Sequence, residues 1–164
     1  MISKTITLSK SIPFTALVTL ILIAFGAPLL FNHQLIAGPI VNATLFLSTM
    51  ILGVRYGAAV AVVPSAIAFS VGVLPVPYMI PFIVLGNMVL VFSFHYFKQM
   101  GYWPSVVISS FLKFSFLLLF AFLITETLLY GDVAKQLMLM MGWMQFLTAL
   151  LGGVIAFAYL KITS

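Results

Sequence analysis

Seven lysine and arginine side chains and two carboxylates are all the formal charge that this chain spreads over 164 residues. A water-soluble domain carries about 25% charged residues to keep its surface hydrated. Here charged residues make up 5% of the chain and hydrophobic ones 64%. So few charges cannot wet the outside of a globule of this size, and lipid must solvate it instead. Within lipid every backbone N–H and C=O has to be satisfied internally, which favours helices. At roughly 20 residues per spanning helix, the expected fold is all-α, a polytopic membrane bundle of about six transmembrane helices. One integral membrane domain over residues 1–164 leaves no length for a soluble domain beside it.

The net charge of +5 does not point to nucleic acid, because the basic residues are scattered with no run or stripe among them. The chain has no cysteine, which removes disulfides, thiolate metal sites, iron–sulfur clusters and cysteine nucleophiles. His33, His95, Glu126 and Asp132 are then the whole inventory of acid–base and metal-binding groups. Neither histidine has a second ligand at metal-binding spacing, and no cofactor is expected. No Gly-x-x-x-x-Gly-Lys loop is present, so any ATP-driven step needs another subunit.

Apolar runs separated by proline, glycine and charge divide the chain. The first expected span is Ile12–Leu30, which suits an uncleaved helix better than a signal peptide, although Lys4 and Lys10 precede it. Phe31 to Gln34 interrupt it, and a second span runs from Pro39 to Leu52. The Gly53–Gly57 turn opens a third, ending near Leu74, and Pro75-Val76-Pro77 makes a rigid turn. The fourth is Tyr78–Phe97. The fifth starts at Pro104, a favoured first helical position, and reaches Thr125. Glu126 to Lys135 forms the longest polar connection, and the sixth span is Gln136–Leu160. With the N-terminus inside, Lys4, Lys10, Arg55, Lys98 and Lys161 are cytoplasmic, while Lys135 and both carboxylates are outside. That split follows the positive-inside rule and puts both termini in the cytoplasm. Tyr102, Trp103, Tyr130 and Tyr159 fall near helix ends, where interfacial aromatics belong.

Small residues four apart let helices approach closely in a membrane. The pairs are Thr15 with Thr19, Gly57 with Ala61, Ala68 with Gly72, Ala149 with Gly153 and Gly152 with Ala156. Each serves packing within the chain or contact with a partner.

Lys113 is the most informative single residue. It lies about 13 Å into the fifth span at ~1.5 Å per residue, where an ammonium costs about 2.5–3.5 kcal/mol on insertion scales. No acidic residue in any span neutralises it. Its side chain either snorkels, rests among polar neighbours, or meets an anionic ligand. Gln145, Asn87 and Asn42 sit at related depths on the sixth, fourth and second spans. Each amide can simply bond a neighbouring helix, but together they outline a polar pocket open to the outer side. Trp143, Tyr78, Asn32, His33 and Gln34 would wall or cap it.

Five stretches carry a family resemblance: Gly38 to Asn42, Leu52 to Gly57, Pro81 to Asn87, Lys113-Phe114, and Trp143 to Gly153. In their order and spacing the chain resembles the substrate-binding S component of energy-coupling factor (ECF) transporters, from the second helix to the sixth. The resemblance implies six helices, cytoplasmic termini, a bacterial or archaeal cytoplasmic membrane, and a pocket near the outer face for a vitamin-like substrate. It also implies partners, a membrane T component and two ATPase subunits. By the same resemblance Asn87, Lys113 and Gln145 fall on pocket helices and Asn32 to Ile36 on a covering loop. Many such proteins carry Ala-x-x-x-Ala on the first helix to dock the T component, where this chain has Thr15-x-x-x-Thr19. Some similar sequences carry a hydrogenase-like label, which the absence of cysteine excludes here.

Two other classes compete. A non-transport six-helix subunit, such as a cell-shape or assembly factor, would use the polar residues for packing alone. An intramembrane hydrolase would need a catalytic pair, and the carboxylates and histidines do not supply one. The charge split itself is testable. A reporter fused after Ser164 is expected to be active only if it works in the cytoplasm, and an active external reporter would reverse the orientation.

Overall fold

The computed structural model describes residues 11–31, 33–70, 80–127 and 131–163. They form α1 (Ser11–Leu30), α2 (Gln34–Ile51), α3 (Val54–Ser70), α4 (Ile80–Phe97), α5 (Tyr102–Thr127), α6 (Asp132–Met141) and α7 (Trp143–Thr163), with one 3-10 turn at Lys98–Met100. Four stretches are long and apolar enough to cross a membrane, namely Gln34–Ile51, Ile80–Met100, Tyr102–Thr127 and Asp132–Thr163. α1 and α3 contribute the shorter apolar stretches Phe14–Leu30 and Val54–Val63. Lys4, Lys10, Asn32, Gly72, Pro75-Val76-Pro77, Tyr78 and Tyr130 lie outside the described residues.

Three boundaries differ from the sequence expectation. α2 begins at Gln34, so Pro39 sits inside it rather than opening it. The ring removes only the N–H that would bond Leu35, a loss tolerable this close to the helix start. The added turn places Asn42 in the middle of the helix instead of its first turn. α5 begins at Tyr102 and keeps Pro104 within its first turn, where backbone N–H groups have no helical partner anyway. Finally, the polar connection expected from Glu126 to Lys135 is largely helical, and the single span Gln136–Leu160 is two helices, α6 and α7. The break is at Gly142, whose ψ of −137° is far from helical.

Side-chain contacts set the topology. Gly38 faces Thr148 and Gly152 faces Asn42, so α2 and α7 run parallel. Asn87 meets Ala61 while Gly57 meets Val91, making α3 and α4 antiparallel. Ser105 bonds Phe97 and Gly86 packs on Leu117, which does the same for α4 and α5. Arg55, Lys98 and Lys161 thus gather at one end of the bundle, and α6 with the start of α2 at the other.

α2 is the central post. Every residue from Val41 to Thr49 is buried, as expected of a helix enclosed on all sides. Its hydroxyls turn back on their own helix, Thr44 Oγ1 donating to Val41 O at 2.7 Å and Thr49 Oγ1 to Leu45 O at 2.7 Å. Beside it, Phe46 meets Phe94 edge-on at 4.8 Å between centroids. The outer surface carries large exposed apolar side chains such as Leu22, Phe92, Phe111 and Leu119. Such a surface suits lipid contact.

The small-residue pairs divide by role. Gly57 with Ala61, Ala149 with Gly153 and Gly152 with Ala156 are all buried and spent on internal packing. Thr15 and Thr19 are exposed on α1. Gly152 marks the tightest approach of α7 to α2, since a Cβ there would lie 2.6 Å from Asn42 Cβ and 2.9 Å from Ala43 N and Pro39 O. Backbone atoms cannot yield as a flexible side chain can. Gly152→Ala is therefore expected to lower stability in detergent by about 1–3 kcal/mol. Gly26→Ala, whose Cβ meets only Leu30 Cδ1 at 4.0 Å, is the near-neutral control in the same thermal melt.

Candidate functional site

The polar groups that depth alone had aligned are brought together from three helices. Lys113 lies on α5 about 16 Å from its start by helical rise. The packing of Gly86 on Leu117 fixes α4 against α5 there, and Gly152 presses α7 against Asn42 on α2. Lys113 Nζ donates to Asn42 Oδ1 at 2.7 Å and to Asn87 Oδ1 at 2.8 Å. Its side chain is only 2% exposed, so it does not snorkel to either surface.

Lysine has only donors to offer, and this dictates how both amides are turned. Each presents its oxygen to Nζ and its nitrogen to a backbone carbonyl. Asn42 Nδ2 donates to Gly38 O at 2.9 Å, with a longer contact to Thr148 Oγ1 at 3.5 Å. Asn87 Nδ2 donates to Ala61 O at 3.3 Å. Thr148 Oγ1 in turn donates to Gln145 O at 3.2 Å. The network therefore ties α2, α3, α4, α5 and α7 through one nitrogen.

Two hydrogen bonds to a charged group contribute about 1.5–3 kcal/mol each, which offsets an insertion cost of about 2.5–3.5 kcal/mol. The amides therefore supply the compensation that the sequence alone seemed to require from a ligand. They solvate an ammonium without neutralising it, however. Both carboxylates of the chain are exposed elsewhere, and Asp132 lies 3.7 Å from Lys135 in an exposed pair.

The other expected site residues stand apart. Gln145 is in the first turn of α7, and its Nε2 donates to Met140 O at 3.2 Å. Gln34 Nε2 donates to the same carbonyl at 2.8 Å. That carbonyl belongs to the last turn of α6, where intrahelical donors are missing, so both glutamines cap the break. Trp143 is 63% exposed, unlike the buried residues of the network. His33 is exposed at the start of α2, where it makes no side-chain cap. Tyr78 lies outside the described residues.

Sequence reasoning missed Thr148 and Ser110, and it read Gln34 as a cap over the pocket where its side chain bonds the Met140 carbonyl. The Ser110 hydroxyl, one turn before Lys113, is buried with no partner among the described residues. A serine doublet at 109 and 110 beside a mid-span lysine was the available signal. An open groove of about 660 Å³ lies between α5 and α6, with Glu126 and Lys135 on its walls, and Lys113 is not among them. Compared with known proteins, the chain matches no family model, no curated protein and no solved structure.

Because both asparagine oxygens depend on Nζ, Lys113→Met should destabilise the protein by leaving two buried acceptors, about 1–3 kcal/mol each. Lys113→Met/Asn42→Leu/Asn87→Leu removes the entire polar set and should recover most of that loss. Thermal melts of both in detergent check this; a triple variant less stable than the single would show that the amides hold the helices together without the lysine.

Proposed function

We propose that this chain is the membrane-embedded substrate-binding subunit of an uptake system for a small, anionic, vitamin-like micronutrient, similar to the S component of ECF transporters. The observation that carries the reading is Lys113, a basic side chain buried at mid-helix whose hydrogen-bond partners are neutral amides. Such a site attracts a carboxylate or phosphate-like group, which would pair with Lys113 while Asn42 and Asn87 bond the polar remainder. Gln145 and Gln34 stand above it at the α6 end.

In this reading the chain crosses the membrane six times with both termini cytoplasmic. The gathering of Arg55, Lys98 and Lys161 at one end of the bundle supports that orientation. Energy comes from outside the chain, which lacks an ATP-binding loop, through a T component and two ATPase subunits. The exposed Thr15 and Thr19 of α1 are a surface suited to docking such a membrane partner.

The internal closure of the Lys113 network favours a second reading, a non-transport six-helix subunit in which the network serves packing alone. Native mass spectrometry after gentle purification separates the two. The wild-type protein should retain an anionic small molecule, and the folded triple variant at Lys113, Asn42 and Asn87 should lose it. Removing one partner of a buried charge pair costs about 2–5 kcal/mol, roughly 30- to several-thousand-fold in affinity. Lys113→Arg should also bind poorly, because a planar fork does not replace a compact ammonium. A ligand retained equally by the triple variant, or none in the wild type, rejects the transport reading.

A further inference from the structure

We infer that α6 is a hinged lid over the Lys113 network, opening at the end of the bundle opposite Arg55 and Lys98. Between that end and the lysine stands one apolar cluster. Leu117 lies one turn beyond Lys113 on the same face of α5, fully buried, and its side chain packs on Gly86, the neighbour of Asn87. Leu117 belongs to one cluster with Ala121 and Ile124 of α5 and with Leu137 and Met141 of α6. Leu137 and Met141 are the only fully buried residues of α6, four apart on one face. Asp132, Val133, Lys135, Gln136 and Leu139 are exposed. Leu137 and Met141, with the half-buried Met138 and Met140 beside them, are what hold the plug down from α6.

Both ends of α6 are glycines, one with a positive φ and the other too close to a backbone oxygen to admit a side chain. Gly131 has φ +73° with open space around it, and Gly142 has ψ −137° where a Cβ would lie 2.5 Å from Met138 O. One latch fastens the lid to the bundle, the Met140 carbonyl that accepts from Gln34 of α2 and Gln145 of α7. Turning about Gly142 would release that carbonyl and withdraw Leu137 and Met141 together, leaving Leu117 as the floor of an opening. That such an opening admits a ligand rests on the proposed function, but the motion itself does not.

The cysteine-free chain makes the test direct. Leu117→Cys and, as a control, Val106→Cys on the same helix against Gly153 are each reacted in detergent with a bulky hydrophilic maleimide. Replacing Gln34 and Gln145 by leucine removes both latch donors and should speed labelling at Leu117→Cys by roughly 5- to 100-fold, leaving Val106→Cys unchanged. Equal acceleration at both positions would mean general loosening, and no acceleration at either would mean a fixed plug; each outcome overturns the lid. Hydrogen exchange on the unmodified protein gives a second reading that no cysteine can disturb. The amides of Leu137 to Met141 should exchange well ahead of those in the middle of α7, and exchange at the same rate would also overturn it. Since neither measurement contains a ligand, a protein that opens but binds nothing would reject the transport reading while leaving the lid intact.

Discussion

The hydrogen bonds from Lys113 Nζ to the oxygens of Asn42 and Asn87 are the point from which the rest of the bundle is arranged. A lysine in the middle of a long apolar helix must find oxygen acceptors within its own reach, because the lipid has none. Two asparagines on different helices provide them only if α2 and α4 approach α5 at one level. Their nitrogens then need acceptors as well, which engages carbonyls of α2 and α3. One cation thus sets the relative height of four helices, something apolar packing between lipid-like surfaces specifies poorly.

Close approach is what makes that geometry reachable. Asparagine is short, so the helix bearing Asn42 must be held firmly against its neighbours. Gly38 and Gly152 let α2 and α7 touch almost backbone to backbone, and Gly86 does the same for α4 against Leu117 of α5. Tyr102 locks the far end of α5 by donating to Gly153 O at 2.6 Å. The glycines and the polar network are one device, since a side chain at Gly152 would displace the asparagine that the lysine needs.

Depth was partly legible in the sequence because helical rise converts residue number into height: Lys113 and Asn87 could be placed well inside the membrane, whereas Asn42, read in the first turn of its span, reaches their level only because α2 starts at Gln34. Direction around each helix was not legible. In helices apolar on nearly every side no polar stripe marks which face is inward, and Gln145 and Trp143 therefore looked like equals of Asn87. Gln145 instead serves a carbonyl left open by the break at Gly142. The break itself was hidden because the residues on both sides, Met138 to Met141 and Trp143 to Leu147, read as one apolar run. A glycine within such a run costs a helix only about 1 kcal/mol, so it does not by itself announce a hinge. Pro39 misled in the opposite sense, as a residue that usually opens a helix but here rides inside one.

The two ends of the bundle are closed by different contacts, and the proposed binding role rests on that difference. Toward Arg55 and Lys98, the layers beyond Lys113 are Val106 against Gly153, Phe94 against Phe46 and the Tyr102 bond, built from long helices whose displacement would disturb the entire core. Toward α6 the closure is a ten-residue helix with two buried and two half-buried apolar side chains and one shared carbonyl. Local opening follows the weaker set of contacts, which among the layers named here is the one at α6. Under the proposed function, this difference between the two ends is what would let an anion reach Lys113 from the α6 side while the opposite end stays shut.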